Sequence, residues 1–169
     1  GNSQPWRFVL VEDAARRDAI TENFRRANAD ALADYDGAQA VNYASLKLAG
    51  LVEAPVHLAV FADTETRRGH GLGRRTMPEM LAYSAVGAVQ TLWLAARARG
   101  LGIGWVSILD PAEARADIDV PADWKLVAYL CPGWPVHAHD APEPATAGLQ
   151  PRGGAQCVLV PARKFPPPG

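Results

Sequence analysis

Residues 1–11, with the sequence GNSQPWRFVLV, decide the fold at the start of the chain. Alternating side chains over residues 6–11 predict a β-strand. Before this strand, Asn2, Ser3 and Gln4 are followed by a proline, which predicts a rigid turn leading into a sheet. Amide and hydroxyl groups at a strand entrance can hydrogen-bond a polar ligand without adding charge. Taken singly, the same residues are also typical of simple turn caps.

A second segment, residues 102–108 with the sequence GIGWVSI, has the same character. Gly102 and Gly104 remove side chains that would otherwise pack, which permits a ligand to approach the backbone. Ser107 lacks the neighbours of a nucleophile elbow, which argues against a hydrolase. A strand serine is often satisfied by a nearby carbonyl group, but we interpret Ser107 as a hydrogen-bonding residue for a cofactor. Together the two segments look like two walls of one flavin site.

The remaining sequence alternates between helical and strand patterns. Helices are predicted over residues 12–35, 42–52, 78–99 and 111–118, and strands over residues 6–11, 56–61, 102–108, 125–131 and 156–160. Residues 63–76 are polar and rich in glycine and arginine, and we interpret this long loop as a lid. From residue 132 proline and glycine dominate, which predicts an extended C-terminal tail that wraps a partner chain. The pattern predicts a single α+β domain over residues 1–169, a layered fold with a central mixed β-sheet flanked by helices.

Residues 80–96 form the least polar stretch of the chain and carry no charge. The stretch is shorter than the ~20 apolar residues that a bilayer span needs. A helix that is apolar nearly all round is buried on several faces or shared with a partner subunit.

Composition excludes several classes of protein. Of the 169 residues, 49% are hydrophobic and 21% are charged, which is typical of a globular domain. A formal net charge of −1 argues against nucleic acid or an anionic membrane as a partner. Cys131 and Cys157 are too few for a disulfide framework, and the apolar pattern around Cys131 predicts a core residue. No signal-peptide pattern is seen, and we predict a cytoplasmic protein.

Three other groups of polar residues can be explained as surface or solvated side chains without a binding role. Residues 69–75 (GHGLGRR) resemble a phosphate cradle but lack the Gly-Lys-Ser/Thr ending of a P-loop, which favours a surface loop. Residues 137–140 (HAHD) lack a third ligand at a suitable spacing, so no metal site is predicted. Lys47 and Arg152 are cations of a kind that is most often solvated, but either can hold a phosphate or ribityl oxygen.

Several segments, in order, resemble one family. They are residues 4–6 (QPW), 43–50 (YASLKLAG), 72–74 (LGR), 77–80 (MPEM), 83–84 (YS), 88–98 (AVQTLWLAARA), 104–108 (GWVSI) and the closing residues 142–152. The chain resembles the BluB family of nitroreductase-fold 5,6-dimethylbenzimidazole synthases from residue 1 to about residue 152. The Gln-Pro-Trp turn marks nitroreductases generally, whereas the Gly-Trp-Val-Ser-Ile strand is more specific to this branch.

The resemblance implies a homodimer with FMN at the subunit interface. It also implies that reduced FMN is both cofactor and substrate, and that molecular oxygen fragments it to the lower ligand of cobalamin. By position, Ser107 matches the family serine that contacts the flavin and supports the fragmentation. The other residues that we expect to bind FMN are Asn2, Ser3 and Gln4 in the turn, Gly104 and Trp105 beside Ser107, and Lys47 and Arg152 near the ribityl-phosphate end.

Two alternatives to this function stay open at the level of the sequence. One is an NAD(P)H-dependent nitro- or flavin reductase, and the other is a non-catalytic flavin-binding protein. The chain begins at Gly1, inside a motif and without methionine, so we expect it to lack an N-terminal segment that is arginine-rich in the family. Leu149 stands where the family usually shows tryptophan.

Overall fold

Four strands form one antiparallel sheet in the computed structural model of the chain, which describes residues 2–32 and 49–136. The strands are β1 (Trp6–Leu10), β2 (Leu58–Asp63), β3 (Gly102–Val106) and β4 (Trp124–Gly133). Their order is β1-β2-β4-β3, so β1 and β3 are the outer two of the four described strands. The sequence predicted a mixed sheet, but every pairing between these described strands is antiparallel. The predicted strand over residues 156–160 lies outside the described residues.

The helices follow the predicted order. They are α1 (Ala14–Leu32), α2 (Gly50–Glu53), α3 (Met80–Arg97) and α4 (Pro111–Ile118), with a 3-10 turn at Arg68–Gly71. Only the end of the helix predicted over residues 42–52 falls within the described ranges, as α2. β2 starts two residues later than predicted, and just before it the carbonyl of His57 accepts a hydrogen bond from Val11 N (2.9 Å).

The two faces of the sheet carry separate hydrophobic clusters. One joins α1, α2 and α4 to the sheet through Val11, Ile20, Phe24, Leu51, Phe61, Ile118 and Tyr129. The other joins α3 to the sheet through Val60, Val89, Ala96, Ile103, Ala128 and Leu130. Residues 59–62 in β2 are fully buried, since successive strand residues point into opposite clusters. Helices therefore cover both faces of the sheet, which confirms the predicted α+β layered fold.

A buried asparagine ties α1 to the start of α4. Asn23 is 1% exposed, and its Nδ2 donates to Asp110 O (3.0 Å) while its Oδ1 accepts from Asp110 N (2.8 Å). The Asp110 carboxylate then caps α4 by accepting from Ala112 N and Glu113 N, both at 2.8 Å. These bonds satisfy the backbone groups that a helix start leaves without partners.

Helix α3 has one buried side and one exposed apolar side. Leu81, Ala85, Val89 and Ala96 are buried, whereas Met80, Tyr83, Val86 and Leu94 are exposed by 40–61%. The single chain therefore covers one side of this helix, which carries no charge over residues 80–96. This exposed side agrees with only partial burial of the helix, and its sharing with a partner subunit stays a prediction.

The described residues contain no helix with both the length and the apolarity needed to cross a membrane. They all belong to one unit, Gly1–Val136. That one domain spans residues 1–169 stays a prediction.

Candidate functional site

A cavity of about 510 Å³ opens between the N-terminal turn, the loop after β2 and the start of α3. Its apolar lining comes from Trp6, Leu72, Met77, Met80 and Leu81, and its neutral polar lining from Asn2, Ser3, Gln4, Thr76 and Ser84. Arg68 and Arg74 add two cations. The three predicted turn residues thus share one cavity with part of the loop predicted as a lid.

The N-terminal turn holds its amides in an unusual backbone conformation. Asn2 (φ 54°) and Gln4 (φ 46°) both lie in the left-handed region, which non-glycine residues rarely adopt. Pro5 follows and is fully buried. Its carbonyl accepts a hydrogen bond from Asp63 N at 2.8 Å, so the end of β2 fixes the turn in place.

One arginine, Arg7, holds this turn in place through hydrogen bonds and an ion pair. Arg7 Nη1 donates to Gln4 O (3.1 Å) and to Trp6 O (2.9 Å), and its Nη2 pairs with the Asp63 carboxylate at 2.5 Å. The guanidinium carbon also lies 5.8 Å from the centre of the Trp124 ring. Because this ion pair is partly buried, it holds the turn more firmly than a fully exposed pair would.

The loop between β2 and α3 forms the opposite wall. Gly69, Gly71 and Gly73 all have φ between 71° and 77°, a conformation that favours glycine. Arg74 Nη2 donates to Thr64 O at 2.7 Å, and Arg68 Nη1 donates across the cavity to Gln4 Oε1 at 3.1 Å. The glycines of the GHGLGRR stretch therefore shape a wall of the cavity, although the stretch is not a P-loop.

The cavity is suited to binding more than to acid–base chemistry. The residues described along its wall include two guanidinium groups and no carboxylate, histidine or cysteine side chain. Within residues 2–32 and 49–136 there is also no cluster of three His, Cys, Asp or Glu side chains that could hold a metal ion. Apolar walls, neutral donors and cations together match a ligand with a flat apolar part, polar edges and negative charge.

Buried titratable groups lie elsewhere, on the α1 side of the sheet. His57 Nδ1 and the Tyr129 hydroxyl are 2.8 Å apart, and Cys131 is a free buried thiol, as predicted. Burial, with the nearby charge of Arg17, lowers the pKa of His57. Burial also raises the pKa of Tyr129, and raises the pKa of Cys131 to about 11. These shifts favour neutral side chains in the core, and none of these groups lines the cavity.

The second predicted wall lies at the other edge of the sheet. Ser107 follows β3 and is exposed, as is Gly104. Trp105 packs against Trp93 of α3, with ring centres 6.3 Å apart. None of these three residues is among the described residues that line the cavity. Because two strands separate β1 from β3, the two walls are about 14 Å apart across the sheet of one chain.

Two predicted residues, Lys47 and Arg152, lie outside the described residues, and their role stays a prediction. Arg68 and Arg74 line the cavity but were not predicted as site residues from the sequence. The glycines before Arg74 were the available signal, because closely spaced glycines followed by arginines indicate a shaped loop with cations. The Arg7–Asp63 pair left no such signal, since its partners are 56 positions apart.

Comparison with known proteins decides the family. A sequence model of the Nitroreductase family matches residues 1–134. The chain belongs to the nitroreductase family. Within this family it is 59% identical over 152 residues to a 5,6-dimethylbenzimidazole synthase of Rhodospirillum rubrum, covering 90% of this chain and 72% of the relative. It is 47% identical over 150 residues to a 5,6-dimethylbenzimidazole synthase of Rhodobacter capsulatus, covering 89% and 72%. The predicted resemblance is confirmed.

Solved structures share the fold of this chain. The crystal structure of oxidized iodotyrosine deiodinase bound to FMN and 3-iodo-L-tyrosine matches with a TM-score of 0.67 at 24% identity, covering 97% of this chain and 79% of that chain. A nitroreductase family protein from Streptococcus pneumoniae matches with a TM-score of 0.53 at 19% identity, covering 83% and 74%. At these identities the likeness concerns the fold alone.

Proposed function

We propose that the chain is a 5,6-dimethylbenzimidazole synthase. In this reaction molecular oxygen fragments reduced FMN to 5,6-dimethylbenzimidazole, the lower ligand of cobalamin. The observation that carries the proposal is the 59% identity to the Rhodospirillum rubrum synthase over 90% of the chain. The 47% identity to the Rhodobacter capsulatus synthase supports the same assignment.

The wall chemistry of the cavity fits FMN. A volume of about 510 Å³ lies within the usual range for sites of small ligands and cofactors. Trp6, Met80 and Leu81 offer apolar surface to the ring, while Asn2, Ser3, Gln4 and Ser84 offer neutral polar groups. Arg74 offers positive charge to a phosphate. When bound, reduced FMN supplies the electrons for oxygen and the atoms of the product.

We further propose a homodimer with FMN at the subunit interface. The exposed apolar side of α3 supports it, because an uncharged surface of this kind is typical of protein interfaces. The separation of the two walls supports it as well. In a two-fold dimer, the β1 edge of one chain can meet the β3 edge of its partner, which one chain cannot achieve alone.

In this proposal each flavin site takes its turn, Asn2 to Gln4, from one chain and Ser107 from the partner subunit. Ser107 is exposed in the single chain, so its hydroxyl is free to face a second subunit. We assign it the role of a hydrogen-bonding residue in the fragmentation, with Gly104 and Trp105 forming the wall beside it. Lys47 and Arg152 are proposed to bind the ribityl-phosphate end.

Two further expectations belong to the same proposal. The loop over residues 63–76 is a lid, which its contribution to the cavity wall supports. The protein works in the cytoplasm, where the buried free thiol of Cys131 stays reduced.

The experiment is to mix the purified protein with chemically reduced FMN in air and to measure 5,6-dimethylbenzimidazole by chromatography. Ser107→Ala should lower the product about 100-fold, which is typical of losing one hydrogen-bond donor that acts on developing charge. Ser107→Thr keeps a hydroxyl and is the matched control, which should retain most of the product.

Other outcomes would replace the proposal. If FMN is only reoxidised and NAD(P)H is consumed in turnover, the protein is a nitro- or flavin reductase. Tight FMN binding with neither product nor nicotinamide oxidation would indicate a flavin-binding protein. Equal product from the wild type and Ser107→Ala would remove Ser107 from the mechanism while leaving the synthase activity in place.

A further inference from the structure

We propose that Arg68 is a positioning residue that fixes the orientation of the Gln4 side-chain amide, so that its NH₂ group is the end offered to the ligand. The inference rests on the proposed function, because the ligand is taken to be FMN. It adds a residue from the GHGLGRR loop region to the recognition of the flavin.

The contact that carries the inference joins the two walls of the cavity. Arg68 Nη1 donates to Gln4 Oε1 at 3.1 Å, and both residues line the cavity. They are 64 positions apart, so the bond depends on the fold and not on local sequence. A guanidinium group has donors and no acceptor. The flipped amide would set NH₂ against those donors, so Arg68 selects one of the two amide orientations.

A second arginine strengthens this selection. Arg7 Nη1 donates to the backbone oxygen of Gln4 at 3.1 Å, so two different arginines bind the two oxygens of this residue. Each oxygen of Gln4 therefore already accepts one hydrogen bond from an arginine, and its Nε2 is the donor that the side chain has left for a ligand. The left-handed backbone at Gln4 (φ 46°) belongs to the same fixed geometry.

The ligand chemistry follows from that orientation. An NH₂ group binds a carbonyl oxygen or an imine-type nitrogen, and both occur along the polar edge of a flavin ring. A group that donates at the same position would face another donor and would be rejected. Arg68 therefore determines which groups on the edge of the ligand can bind to Gln4, although Arg68 itself makes no hydrogen bond to the ligand.

The test is a double-mutant cycle on the dissociation constant of oxidised FMN, measured by quenching of flavin fluorescence. Arg68→Met and Gln4→Ala should each weaken binding about fivefold, the size of one ordinary hydrogen bond. The double variant should lose little more than either single variant, since both changes remove the same contact to the ligand. Independent losses that multiply to about 25-fold would overturn the inference.

Arg67→Met is the matched control for charge. Arg67 is the neighbouring exposed arginine and does not line the cavity, so its removal reports the general attraction of a cation for the FMN phosphate. Arg68→Met must weaken binding several-fold more than Arg67→Met. Equal effects would mean that Arg68 acts through charge alone.

Gln4→Glu separates positioning from simple cross-linking of the two walls. A glutamate keeps the contact with Arg68, as an ion pair, but offers no donor to the ligand. We expect FMN binding to fall as far as in Gln4→Ala, or further, although thermal stability is unchanged or higher. Preserved binding in Gln4→Glu would show that Arg68 only ties the loop to the turn. Arg68→Lys keeps a donor and should recover part of the loss.

A measurement without flavin keeps this inference distinct from the proposed function. The side-chain amide signal of Gln4 in a ¹⁵N NMR spectrum should report an ordered group in the wild type and a mobile one in Arg68→Met. A mobile Gln4 amide in the wild type overturns the positioning role whatever the protein binds. An ordered amide in a protein that binds no FMN overturns the proposed function and retains the role of Arg68 in orienting the amide.

Discussion

Arg7 shows how the cavity depends on a residue that does not line it. Its guanidinium binds two carbonyl groups of the turn and the carboxylate of Asp63, and it lies near the ring of Trp124. Each partner comes from the end of a strand or from the turn itself, so one side chain links the turn to β2 and β4. The positions of the Asn2 and Gln4 amides therefore depend on this ion pair.

Replacing Asp63 with asparagine tests that dependence. Asp63→Asn removes the charge opposite Arg7, whose side chain is 30% exposed while that of Asp63 is 14% exposed. We expect the free energy of unfolding to fall by about 1–2 kcal/mol, as is typical of a hydrogen bond to a charged group, and FMN binding to weaken as the turn loosens. Urea denaturation and flavin fluorescence measure the two effects.

The control for Asp63→Asn is Glu22→Gln. Glu22 pairs with Arg25 on the surface of α1, where the side chains are 52% and 67% exposed. Its replacement should change the free energy of unfolding by less than about 0.5 kcal/mol, because exposed ion pairs contribute little. If the two variants lose equal stability, the Arg7–Asp63 pair contributes no more to the free energy of unfolding than an exposed ion pair does.

At the scale of elements, α3 has three different roles. Its buried side packs on the sheet, and its exposed side carries Tyr83, Val86 and Leu94 with no charged residue between positions 80 and 96. Met80 at its start also lines the cavity. The same helix therefore supports the sheet, borders the cavity and offers the surface proposed for the dimer.

A charge on the exposed side of α3 should separate the subunits. Leu94 is 61% exposed in the single chain, so Leu94→Glu removes little packing within that chain. In the proposed dimer it buries a charge without a partner, and we expect mainly monomer at micromolar concentration in analytical ultracentrifugation. Circular dichroism should stay unchanged, and FMN binding should weaken with the loss of the second wall.

Val52→Glu is the matched control for Leu94→Glu. Val52 is 76% exposed on α2, so the change introduces the same charge at an apolar surface position away from α3. It should leave the sedimentation of the protein unchanged. A monomeric wild type, or a Leu94→Glu variant that remains dimeric, would contradict the role of this helix.

At the scale of the whole molecule, the elements were more predictable than their arrangement. Helices and strands follow local periodicity, so the positions of α1, α3, α4 and β1 could be predicted within a few residues. The order of the strands depends on pairings between distant segments, and the mixed sheet was a wrong expectation for the described strands. The same holds for the site. The turn was found from Asn2 to Gln4, whereas the Arg68–Gln4 bond spans 64 positions and left no local pattern.

The separation of Ser107 from the turn is the clearest example of an arrangement that could not be predicted from the sequence. Similar character in two segments suggested two walls of one site, but the sequence carried no information on which chain supplies each wall. The sheet order puts β1 and β3 at opposite edges, which only the three-dimensional structure reveals.

Mixed dimers test whether the two walls come from different chains. Gln4→Ala damages one wall and Ser107→Ala the other, so a dimer with one chain of each kind has one intact site and one that lacks both groups. Random pairing makes half of the dimers mixed, so their intact sites should contribute about one quarter of the wild-type synthase activity, in addition to the mean residual activity of the two variants. Each variant alone should stay at its own lower level, and product measured by chromatography gives the comparison.

No recovery in the mixed sample would mean that both walls of each site belong to the same chain. The control is co-expression of each variant with itself at the same total amount of protein. It separates true recovery from an effect of concentration.

The sheet order has a consequence for gene dosage under the proposed assembly. Two chains must meet before a site exists, so at concentrations below the dimer dissociation constant the number of sites rises with the square of the chain concentration. Halving expression in that range would remove three quarters of the capacity for making the cobalamin ligand. A cell that needs only traces of this product would then control its supply steeply through the amount of one polypeptide.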